Sequence, residues 1–566
     1  MKKMIPVFVA IVLIIIIGGV YAGSLVLDKY SYSKEQADLN EYFEITDETD
    51  VPIVLQNERI EERARLQDGT YYFDLATVQK YLNDRFYFDK TEKLLLYMLP
   101  TFVNRVELNS TSYETESGSE DMGFVIAFED QDTLYIAADY VKQYTNFSYT
   151  TYADPNRMQL DTQWNERKIA DISKDTAIRY QGGIKSDILT EVTKGETVEV
   201  LESMENWSKV KADGCFIGYV ENKRLTNDRT EEPIPVTDYT EPEYTNLTGT
   251  STINMAWHQV MSSVGGAAFN EALASTQSVN VISPTWFSLS SNDGAVNSLA
   301  STEYVTAAHA KNVSVWALLD NDINKLYGTD TATVLASTSI REKVIDQVVN
   351  YVNQYNIDGI NLDFEQIPND SGEDYIQFIR ELSVACRKNG TVLSVDNYVP
   401  TDYTNHYNRT EQGIVADYVV IMGYDEHYAG SKEAGSVASI DYVEQGIAQT
   451  IEEGVPAEKV INGIPFYTRV WKTVNGEVTS EAVAMQTAAD FIKNNSVETA
   501  WDESTCQNYG EKQIGDIFYQ VWLEDAQSIE TKLNIMKKYE IAGVAEWKLG
   551  LEQSSIWDII AAYVNS

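Results

Sequence analysis

The chain opens with its longest apolar stretch. This stretch covers residues 4–20, continues weakly to residue 27 and follows two lysines. Positive charge before an apolar run predicts a cytoplasmic N-terminus and an extracytoplasmic chain from about residue 28. A small-residue pattern at Val20-Tyr21-Ala22 fits a cleaved signal peptide, which would leave a secreted protein. The Ile-rich centre is longer than the ~7–15 residues of a signal-peptide core, which favours an uncleaved single-pass anchor over residues 1–27.

Four segments of different pattern follow the apolar run. Residues 28–50 are polar and acidic, which predicts a spacer. Residues 51–171 mix short strand-like and helix-like stretches, as in a small α+β domain. Residues 172–226 alternate apolar and polar positions between glycine turns, which predicts a small all-β barrel. Residues 227–248 contain three prolines among acidic residues and predict an extended linker.

The remaining chain, residues 249–566, alternates strand and helix. Its short apolar runs are Ile253–Trp257, Val279–Ile282, Val313–Leu318, Ile357–Phe364, Thr391–Val395, Tyr418–Met422, Val460–Ile464 and Gly543–Trp547. Eight strands separated by amphipathic helices predict an α/β fold of the (β/α)8 TIM barrel type. A doubly wound open sheet also alternates, but the strand count and the lack of a GxGxxG motif argue against it. Residues from about 468 to 528 are too many for one helical connection and predict an insertion.

Composition and charge argue against some classes of function. Among 566 residues there are 43 Lys and Arg against 86 Asp and Glu, a formal charge of −43. Phosphate backbones would repel such a chain, which excludes nucleic-acid binding as a function. The three cysteines and four histidines have no spacing typical of a disulfide framework or a zinc site. We therefore expect chemistry that runs on carboxylates.

The fourth apolar run carries the candidate chemistry. Its apolar residues Ile360, Leu362 and Phe364 alternate with three polar ones, Asn361, Asp363 and Glu365. In a barrel strand the polar set faces the axis, and it falls at the carboxyl end of the strand, where such barrels place their chemistry. The two carboxylates lie ~6.6 Å apart along the strand, so one pKa would be raised and that group could act as general acid. The alternative is the solvated face of an edge strand.

This run also resembles a family signature. Asp358-Gly359-Ile360-Asn361-Leu362-Asp363-Phe364-Glu365 is similar to the DGxDxDxE motif of glycoside hydrolase family 18. Ser283–Leu289, Ile421–His427 and Gly463–Trp471 resemble the marks of this family on the second, sixth and seventh strands, and "GVAEWKLGLE" resembles the eighth. The similarity covers about 310 residues. It points to the branch that contains spore-germination and cortex-lytic glucosaminidases.

The resemblance implies a retaining, substrate-assisted mechanism. This mechanism uses only protein groups and the substrate, so we expect no metal and no cofactor. The carbonyl oxygen of the substrate's own N-acetyl group is then the nucleophile. Glu365 would be the general acid and then the base for water. Asp363 would bind the acetamido N–H and stabilise the charged intermediate, and Tyr424 would position the acetamido carbonyl oxygen. Trp547 would form an apolar floor under the sugar at the cleavage site, with core packing as its alternative.

Three further residues are predicted substrate contacts at the same site. They are Asn361, Asp425 and Trp286, and core packing is the alternative for Trp286. Family 18 usually has Asp where this chain has Asn361, and that Asp shares a proton with the residue equivalent to Asp363. An amide can donate a hydrogen bond but cannot take up the charge, which puts the rate and the pH profile in question. Asp358 is expected to have a structural role.

Two N-terminal segments also carry resemblances. Within residues 172–226, Gly195, Trp207 and Gly218-Tyr219-Val220 resemble the markers of a bacterial Src-homology-3-like module, a kind that often binds cell-wall peptide. The alternative is that both aromatic residues are barrel core. Residues 51–171 resemble, through "DLATVQKYLN", the stalk-like domain named for copper amine oxidase N-termini. That segment carries no catalytic residues.

Together these features predict an extracytoplasmic glycoside hydrolase associated with the cell wall. It would cleave β-1,4 bonds next to N-acetylglucosamine, most plausibly in peptidoglycan during cell-wall or spore-cortex remodelling. Residues 4–27 would contact the membrane and the small β-barrel the wall. A chitinase, an endo-β-N-acetylglucosaminidase and a non-catalytic, lectin-like wall-binding protein are the alternatives.

Overall fold

A computed structural model describes residues 5–235 and 239–566. The two lysines before the apolar run, its residue Met4 and linker residues 236–238 lie outside the described residues. The chain divides into two compact units, described in turn below. The N-terminal unit comprises Met1–Phe86, Val106–Tyr113 and Ser119–Glu241, and the barrel unit comprises Tyr87–Arg105, Glu114–Gly118 and Pro242–Ser566.

The N-terminal unit begins with the apolar helix. It extends over Ile5–Tyr30, and all of its side chains are exposed. Among the described helices it is the one long and apolar enough to cross a membrane, by length and composition. An anchor and a signal sequence both satisfy that criterion, so the helix alone leaves the two predictions open.

Two seven-stranded sheets form the body of the N-terminal unit. The first has the order Ser148–Tyr152, Arg157–Asp161, Asp50–Leu55, Glu58–Gln67, Thr70–Asp74, Thr133–Ala137 and Ala127–Asp130. The second has the order Ile188–Val192, Thr176–Arg179, Phe216–Glu221, Trp207–Ala212, Thr197–Ser203, Arg167–Ile172 and Leu225–Glu231. The short helices of this unit are Leu39–Phe43, Leu75–Tyr81, Ala138–Val141 and the 3-10 turn Asn222–Arg224.

Residues 28–50, which the sequence suggests as a spacer, pack against the second sheet. The backbone N–H of Ala37 donates to the carbonyl of Ile188 at 2.9 Å, and the N–H of Ile188 donates to the carbonyl of Glu35 at 2.9 Å. Phe43 is fully buried in the core of this sheet. Ala37, Leu39, Tyr42 and Ile45 pack against the same core, so a few apolar side chains fix a segment whose composition resembles a linker.

The barrel unit confirms the predicted (β/α)8 barrel. Among the described residues, eight parallel strands close into a ring, because strand 1 pairs with both strand 2 and strand 8. Barrel strands 1 to 8 are Ile253–His258, Val281–Leu289, Ser314–Asp320, Gly359–Asp363, Val392–Tyr398, Tyr418–Met422, Val460–Pro465 and Gly543–Trp547. The short strand Val296–Ser298 pairs antiparallel with strand 2.

Helices cover the outside of the barrel. They are Gly266–Ala272, Thr302–His309, Thr331–Leu335, Thr338–Tyr355, Gly372–Asn389, Arg409–Val415, Ile440–Glu452, Ala526–Lys538 and Ile556–Val564, with 3-10 turns at Asn369–Ser371, Asp402–Tyr407 and Ala457–Lys459. Side-chain caps start several of them: Ser337 accepts from the backbone N–H of Ile340, and Asp525 accepts from those of Gln527 and Ser528. Apolar faces of helices and strands meet in one large core.

An inserted sheet follows strand 7. Its strands have the order Glu477–Ala484, Tyr467–Val474, Ile517–Leu523, Gln507–Ile514 and Thr499–Asp502, and the helix Met485–Asn494 accompanies them. All pairings given for this sheet are antiparallel. The polar alternation along these strands matches a sheet with one solvated face.

The Tyr87–Arg105 segment also belongs to the barrel unit, although the sequence places it in the α+β region. The carboxylate of its Asp89 accepts from the backbone N–H of Thr338 at 2.6 Å, at the start of the helix Thr338–Tyr355. Met98 is fully buried in the barrel core. The strands of this region are Phe86–Asp89, Leu94–Met98, Val103–Glu107, Ser112–Thr115 and Gly118–Asp121.

Candidate active site

A cavity of about 150 Å³ lies at the carboxyl ends of the barrel strands. The alternation along strand 4 places its carboxylates there, because Ile360, Leu362 and Phe364 are all buried in the core and the intervening residues face inward. Side chains from strands 1, 4, 5, 6 and 8 and from the adjoining loops converge on the cavity. Its lining residues are Trp257, Asp363, Glu365, Asp396, Tyr398, Met422, Tyr424, Asp425 and Trp547.

Glu365 is held on both its backbone and its side chain. Asn321, just after strand 3, donates from Nδ2 to the carbonyl of Glu365 at 2.8 Å and accepts from its N–H at 3.2 Å. The hydroxyl of Tyr398 donates to Oε2 of Glu365 at 2.7 Å. Burial raises the pKa of Glu365; the bond from Tyr398 lowers it, and the nearby carboxylates of Asp425 and Asp320 raise it. The net raised pKa suits a proton donor.

Asp363 has the stronger electrostatic perturbation. Burial raises its pKa well above the usual range, and the charges of Asp396, Glu365 and Asp320 raise it further. Its Oδ1 is buried and has no hydrogen-bond partner among the described residues. No Lys, Arg or His from the described part of the chain lines the cavity to compensate the charge. The site therefore concentrates acids in a small space without a cation.

Aromatic rings form one side of the cavity. The rings of Trp257 and Trp547 meet edge to face with centroids 5.7 Å apart, and Tyr424 meets Trp257 in the same way at 6.4 Å. Strand 7 carries Gly463 behind them, and an added Cβ there would lie 3.0 Å from the ring of Tyr424. A glycine at this position lets the Tyr424 ring pack closely against the strand.

Asp425 is fixed by a neighbouring tyrosine. It has a positive φ of 60° directly after Tyr424, and its Oδ1 accepts from the hydroxyl of Tyr467 at 2.5 Å. The structure thus brings together five of the predicted site residues, which are Asp363, Glu365, Tyr424, Asp425 and Trp547.

Two predicted substrate contacts do not line the cavity. Asn361 is fully buried, and its Nδ2 donates to Oδ2 of Asp396 at 2.7 Å. Trp286 is 1% exposed, and its ring packs edge to face on Tyr304 with centroids 5.0 Å apart. The pairing of strands 2 and 3 shifts register at Trp286, which directs this side chain into the core. Its alternative interpretation, core packing, fits the structure, and contact with sugar does not.

Asp358 occupies a structural position at the start of strand 4. Its Oδ2 accepts from the backbone N–H of Val315 at 2.7 Å and lies 2.8 Å from Nε2 of His309. These contacts join strand 4 to strand 3 and to the helix Thr302–His309. The residue does not line the cavity.

Sequence reasoning missed four lining residues: Trp257, Asp396, Tyr398 and Met422. Strand 5 offered a signal for two of them, because Ser394, Asp396 and Tyr398 repeat with period two on one face, as the catalytic triplet of strand 4 does. Trp257 ends strand 1 at the same edge.

Comparison with known proteins identifies the family. The model of the glycosyl hydrolases family 18 matches residues 258–552, which is more than half of the chain. The chain belongs to this family. The model of the bacterial SH3 domain matches residues 174–226, within the predicted small β-barrel. The family 18 protein is therefore a glycosidase with an added SH3 domain.

Several relatives resemble the family 18 region. The chain is 28% identical over 306 residues to the uncharacterized glycosylase YvbX of Bacillus subtilis, covering 52% of this chain and 87% of that protein. It is 24% identical over 274 residues to the cortical fragment-lytic enzyme of the same organism, covering 47% of this chain and 63% of that enzyme. The crystal structure of the Bacillus cereus spore cortex-lytic enzyme SleL superposes with a TM-score of 0.50 at 23% identity, over 56% of this chain and 75% of that one. This last similarity concerns the fold.

Proposed function

We propose that this family 18 protein hydrolyses β-1,4 bonds next to N-acetylglucosamine in peptidoglycan, by a retaining, substrate-assisted mechanism. One observation carries the proposal. Glu365 presents a carboxyl group with a raised pKa to a cavity that also contains Asp363 and Tyr424 and that no cation from the described residues lines. This combination supports proton donation to a glycosidic oxygen together with stabilisation of a developing positive charge.

Glu365 is the general acid in this proposal. Its raised pKa extends the pH range in which it holds a proton, so that it can protonate the leaving oxygen. The resulting carboxylate accepts the hydrogen bond from Tyr398. The same carboxylate then removes a proton from the water that hydrolyses the intermediate, which restores the acid.

The other residues act on the N-acetyl group and the sugar ring. Asp363 accepts from the acetamido N–H, and its negative charge stabilises the positive oxazolinium-like intermediate. Tyr424 donates to the acetamido carbonyl oxygen and holds it beneath the anomeric carbon. The Trp547 ring faces the C–H groups of the pyranose, and Asp425 accepts from a sugar hydroxyl. Each of these side chains lines the same cavity.

Peptidoglycan is the proposed polymer because of the names of two relatives and the presence of the SH3 domain. Two relatives are named for cortical fragments or for a sporulation-specific role. The SH3 domain adds a second surface for the wall. On its strands Trp207–Ala212 and Phe216–Glu221, Trp207 and Tyr219 are half-buried, whereas Val210 and Val220 form the core. The alternation leaves the two aromatic rings available for a wall peptide.

The N-terminal helix supports a location outside the cytoplasm. Its 26 residues suffice to span a bilayer, and its side chains make no buried contacts among the described residues. We propose that it is a single-pass anchor. Membrane fractionation with the intact N-terminus detected by mass spectrometry would support the anchor, and recovery of a chain beginning near Gly23 in the medium would contradict it.

Product analysis tests the activity. The full chain in detergent micelles is incubated with purified peptidoglycan and with chitin oligomers, and new reducing ends are reduced and identified by mass spectrometry. We expect reducing-end N-acetylglucosamine from peptidoglycan, and a loss of about 10²- to 10⁴-fold in rate for Glu365→Gln. Glu458→Gln is the matched control, because Glu458 is exposed just before strand 7, at the opposite end of the barrel.

The outcomes separate the alternatives. Release of N-acetylmuramic acid at the reducing end would contradict the bond assignment. Faster cleavage of chitin than of peptidoglycan would make the protein a chitinase. Sedimentation with the wall without cleavage by either the wild type or the variant would indicate a wall-binding protein.

A further inference from the structure

Strand 5 brings a second carboxyl group beside Asp363. In the parallel pairing of strands 4 and 5, Leu362 lies opposite Val395, so the next step along the pair places Asp363 opposite Asp396. Neighbouring strands are about 4.8 Å apart. Both aspartates line the cavity, so their carboxyl groups are neighbours on the inner face of the barrel.

The hydrogen bonds of Asp396 identify which of its oxygens is free to carry a proton. Ser394 donates to Oδ1 of Asn361 at 2.7 Å, which directs the NH₂ group of Asn361 toward Asp396. That group donates to Oδ2 of Asp396 at 2.7 Å, so Oδ2 is an acceptor. Oδ1 of Asp396 and Oδ1 of Asp363 are both buried without a hydrogen-bond partner among the described residues.

Two ionised carboxylates in this position would repel each other strongly. Burial raises the pKa of Asp363, and the charge of Asp396 adds to the increase. Burial also raises the pKa of Asp396, and the charge of Glu365 adds to the increase, whereas the hydrogen bond from Asn361 and the nearby indole N–H of Trp257 lower it. Because like charges this close do not both ionise readily, a pair of carboxyl groups holds one proton over a wide pH range.

The other groups around the pair do not favour ionisation of both aspartates. Glu365 and Asp320, the latter at the end of strand 3, are acidic and add negative charge when ionised, which favours protonation of the pair. The remaining groups that interact with the two aspartates from strands 1 and 6, from the loop after strand 5 and from the covering helix are aromatic and neutral near pH 7. They are Trp257, Tyr375, Tyr407 and Tyr424.

We propose that Asp363 and Asp396 share one proton between their Oδ1 atoms, and that Asp396 takes up this proton when Asp363 ionises on binding the substrate. The inference rests on the proposed function only for its consequence in catalysis. When the substrate's acetamido N–H donates to Asp363, the proton moves from Oδ1 of Asp363 to Oδ1 of Asp396. The pair keeps one proton and one negative charge throughout. Asp396 is thus a positioning residue that lets Asp363 present its charge to the positive intermediate.

Infrared titration of the carboxyl groups tests the shared proton without any substrate. The full chain with Glu365→Gln serves as the reference, since this substitution removes the signal of the general acid. Other buried acids with a raised pKa, such as Glu546, also contribute to the protonated-carboxyl band, so the spectrum of the reference that also carries both Asp363→Asn and Asp396→Asn is subtracted. We expect the remaining band to fall in two steps as the pH rises. Adding either Asp396→Asn or Asp363→Asn leaves one step, at least about 1 pH unit below the upper step of the pair, because the neighbouring charge is gone.

Independent aspartates would behave differently. If the two groups do not interact, the step that remains in each double variant coincides with one of the two steps of the reference, and the proposal is overturned. The two substitutions test the same coupling from either side, so one well-folded variant is sufficient. Asp322→Asn in the same background is the control, because backbone N–H groups of Tyr327 and Thr329 hold Asp322 and its pKa is lowered, against the effect of burial. It should leave both steps unchanged.

The catalytic consequence has its own measurement. In the otherwise wild-type chain, Asp396→Asn should lower kcat by about 10- to 100-fold, the loss expected for one charged hydrogen bond, with a smaller change in KM. It should also move the descending limb of the pH profile to lower pH, because the variant cannot acquire the second negative charge that the pair takes up near Glu365 at high pH. Coupled titration with an unchanged pH profile would overturn the role in catalysis and leave the shared proton in place. Loss of coupling with intact cleavage would overturn the shared proton and spare the proposed function.

Discussion

In the barrel unit, two groups of buried acidic side chains have opposite surroundings. In the helical layer, Glu381 is paired with Arg341 through two hydrogen bonds of 2.9 Å, and Glu524 is paired with Lys532 at 2.9 Å. At the mouth of the barrel, Asp363 and Asp396 have no cation beside them among the described residues. A buried acid beside a cation has its charge compensated and serves the fold, whereas a buried acid with neither a cation nor a full set of hydrogen-bond donors favours its protonated form.

The difference has an energetic consequence. Breaking a buried ion pair leaves the remaining charge without compensation and costs stability. Neutralising an acid that has no partner removes a charge that the fold accommodates poorly, so it should cost activity and not stability. The same chemical change, a carboxyl group converted to an amide, should therefore have opposite effects on stability in the two regions.

The largest expected effect is in the helical layer. Arg341→Met should lower the free energy of unfolding by about 3–5 kcal/mol, because Glu381 is left buried without its partner. The side chain of Arg341 is fully buried and also donates to the carbonyl of Leu335 at 2.6 Å. Chemical denaturation followed by circular dichroism measures the loss.

The double variant Arg341→Met with Glu381→Met is the control for that loss. It removes both charges together, so it should recover most of the stability. If it is as unstable as the single variant, packing and not charge explains the effect, and the helical half of the comparison does not hold.

The next effect is on the general acid itself. Tyr398→Phe removes the hydroxyl that donates to Oε2 of Glu365, a bond that lowers the pKa of Glu365. The pKa should rise further, which moves the descending limb of the kcat/KM profile to higher pH. The rate should fall about 10- to 100-fold, since a hydrogen bond to a charged group contributes about 1.5–3 kcal/mol.

Tyr403→Phe, at a tyrosine that is 87% exposed, is the control for Tyr398→Phe and should leave the profile in place. A profile that does not move in the Tyr398 variant would show that this hydroxyl does not govern the acid.

The third expected effect is a gain in stability, whereas most substitutions of buried residues lower the free energy of unfolding. Asp363→Asn should raise the free energy of unfolding at pH 7 by about 1–2 kcal/mol while abolishing most activity. The pKa of Asp363 is raised in the folded chain, so ionisation costs stability as the pH rises through that pKa. The gain should therefore shrink as the pH falls toward the unfolded value of about 3.9. A variant that is less stable than the wild type at pH 7 would contradict the assignment of an unpaired charge.

The sequence predicted much of this site because its signal is local. Period-two alternation along strand 4 is enough to place Asp363 and Glu365 on one inner face, and the (β/α)8 pattern is enough to place that face at the functional end. Asp396 was missed because its significance depends on the register between strands 4 and 5. The predicted run Thr391–Val395 ends just before Asp396, and the period-two pattern of Ser394, Asp396 and Tyr398 does not show which residues lie opposite them.

Trp286 and the Tyr87–Arg105 segment show two further limits. A local irregularity of strand 2 directs Trp286 to the core, and residue pattern does not predict such a shift. The Tyr87–Arg105 segment joins the barrel unit through contacts such as that of Asp89 with Thr338, nearly 250 residues away along the chain. Composition places the segment correctly among short strands but cannot assign it to a core.

The smallest expected effect concerns Glu92 of that segment. Its Oε1 accepts from the N–H of Ser339 at 2.8 Å and from the hydroxyl at 2.7 Å, at the start of the helix Thr338–Tyr355. Burial raises the pKa of Glu92, but these bonds and one from Ser337 lower it overall, so its ionised form stabilises the fold. Glu92→Gln should cost about 0.3–1 kcal/mol at pH 7, and the difference should vanish as the pH falls through the lowered pKa. Thermal unfolding between pH 7 and pH 3 should therefore show that Glu92→Gln loses stability at pH 7 and Asp363→Asn gains it, with both differences shrinking as the pH falls. The signs differ because hydrogen-bond donors surround the carboxylate of Glu92, whereas a second carboxyl group lies beside that of Asp363.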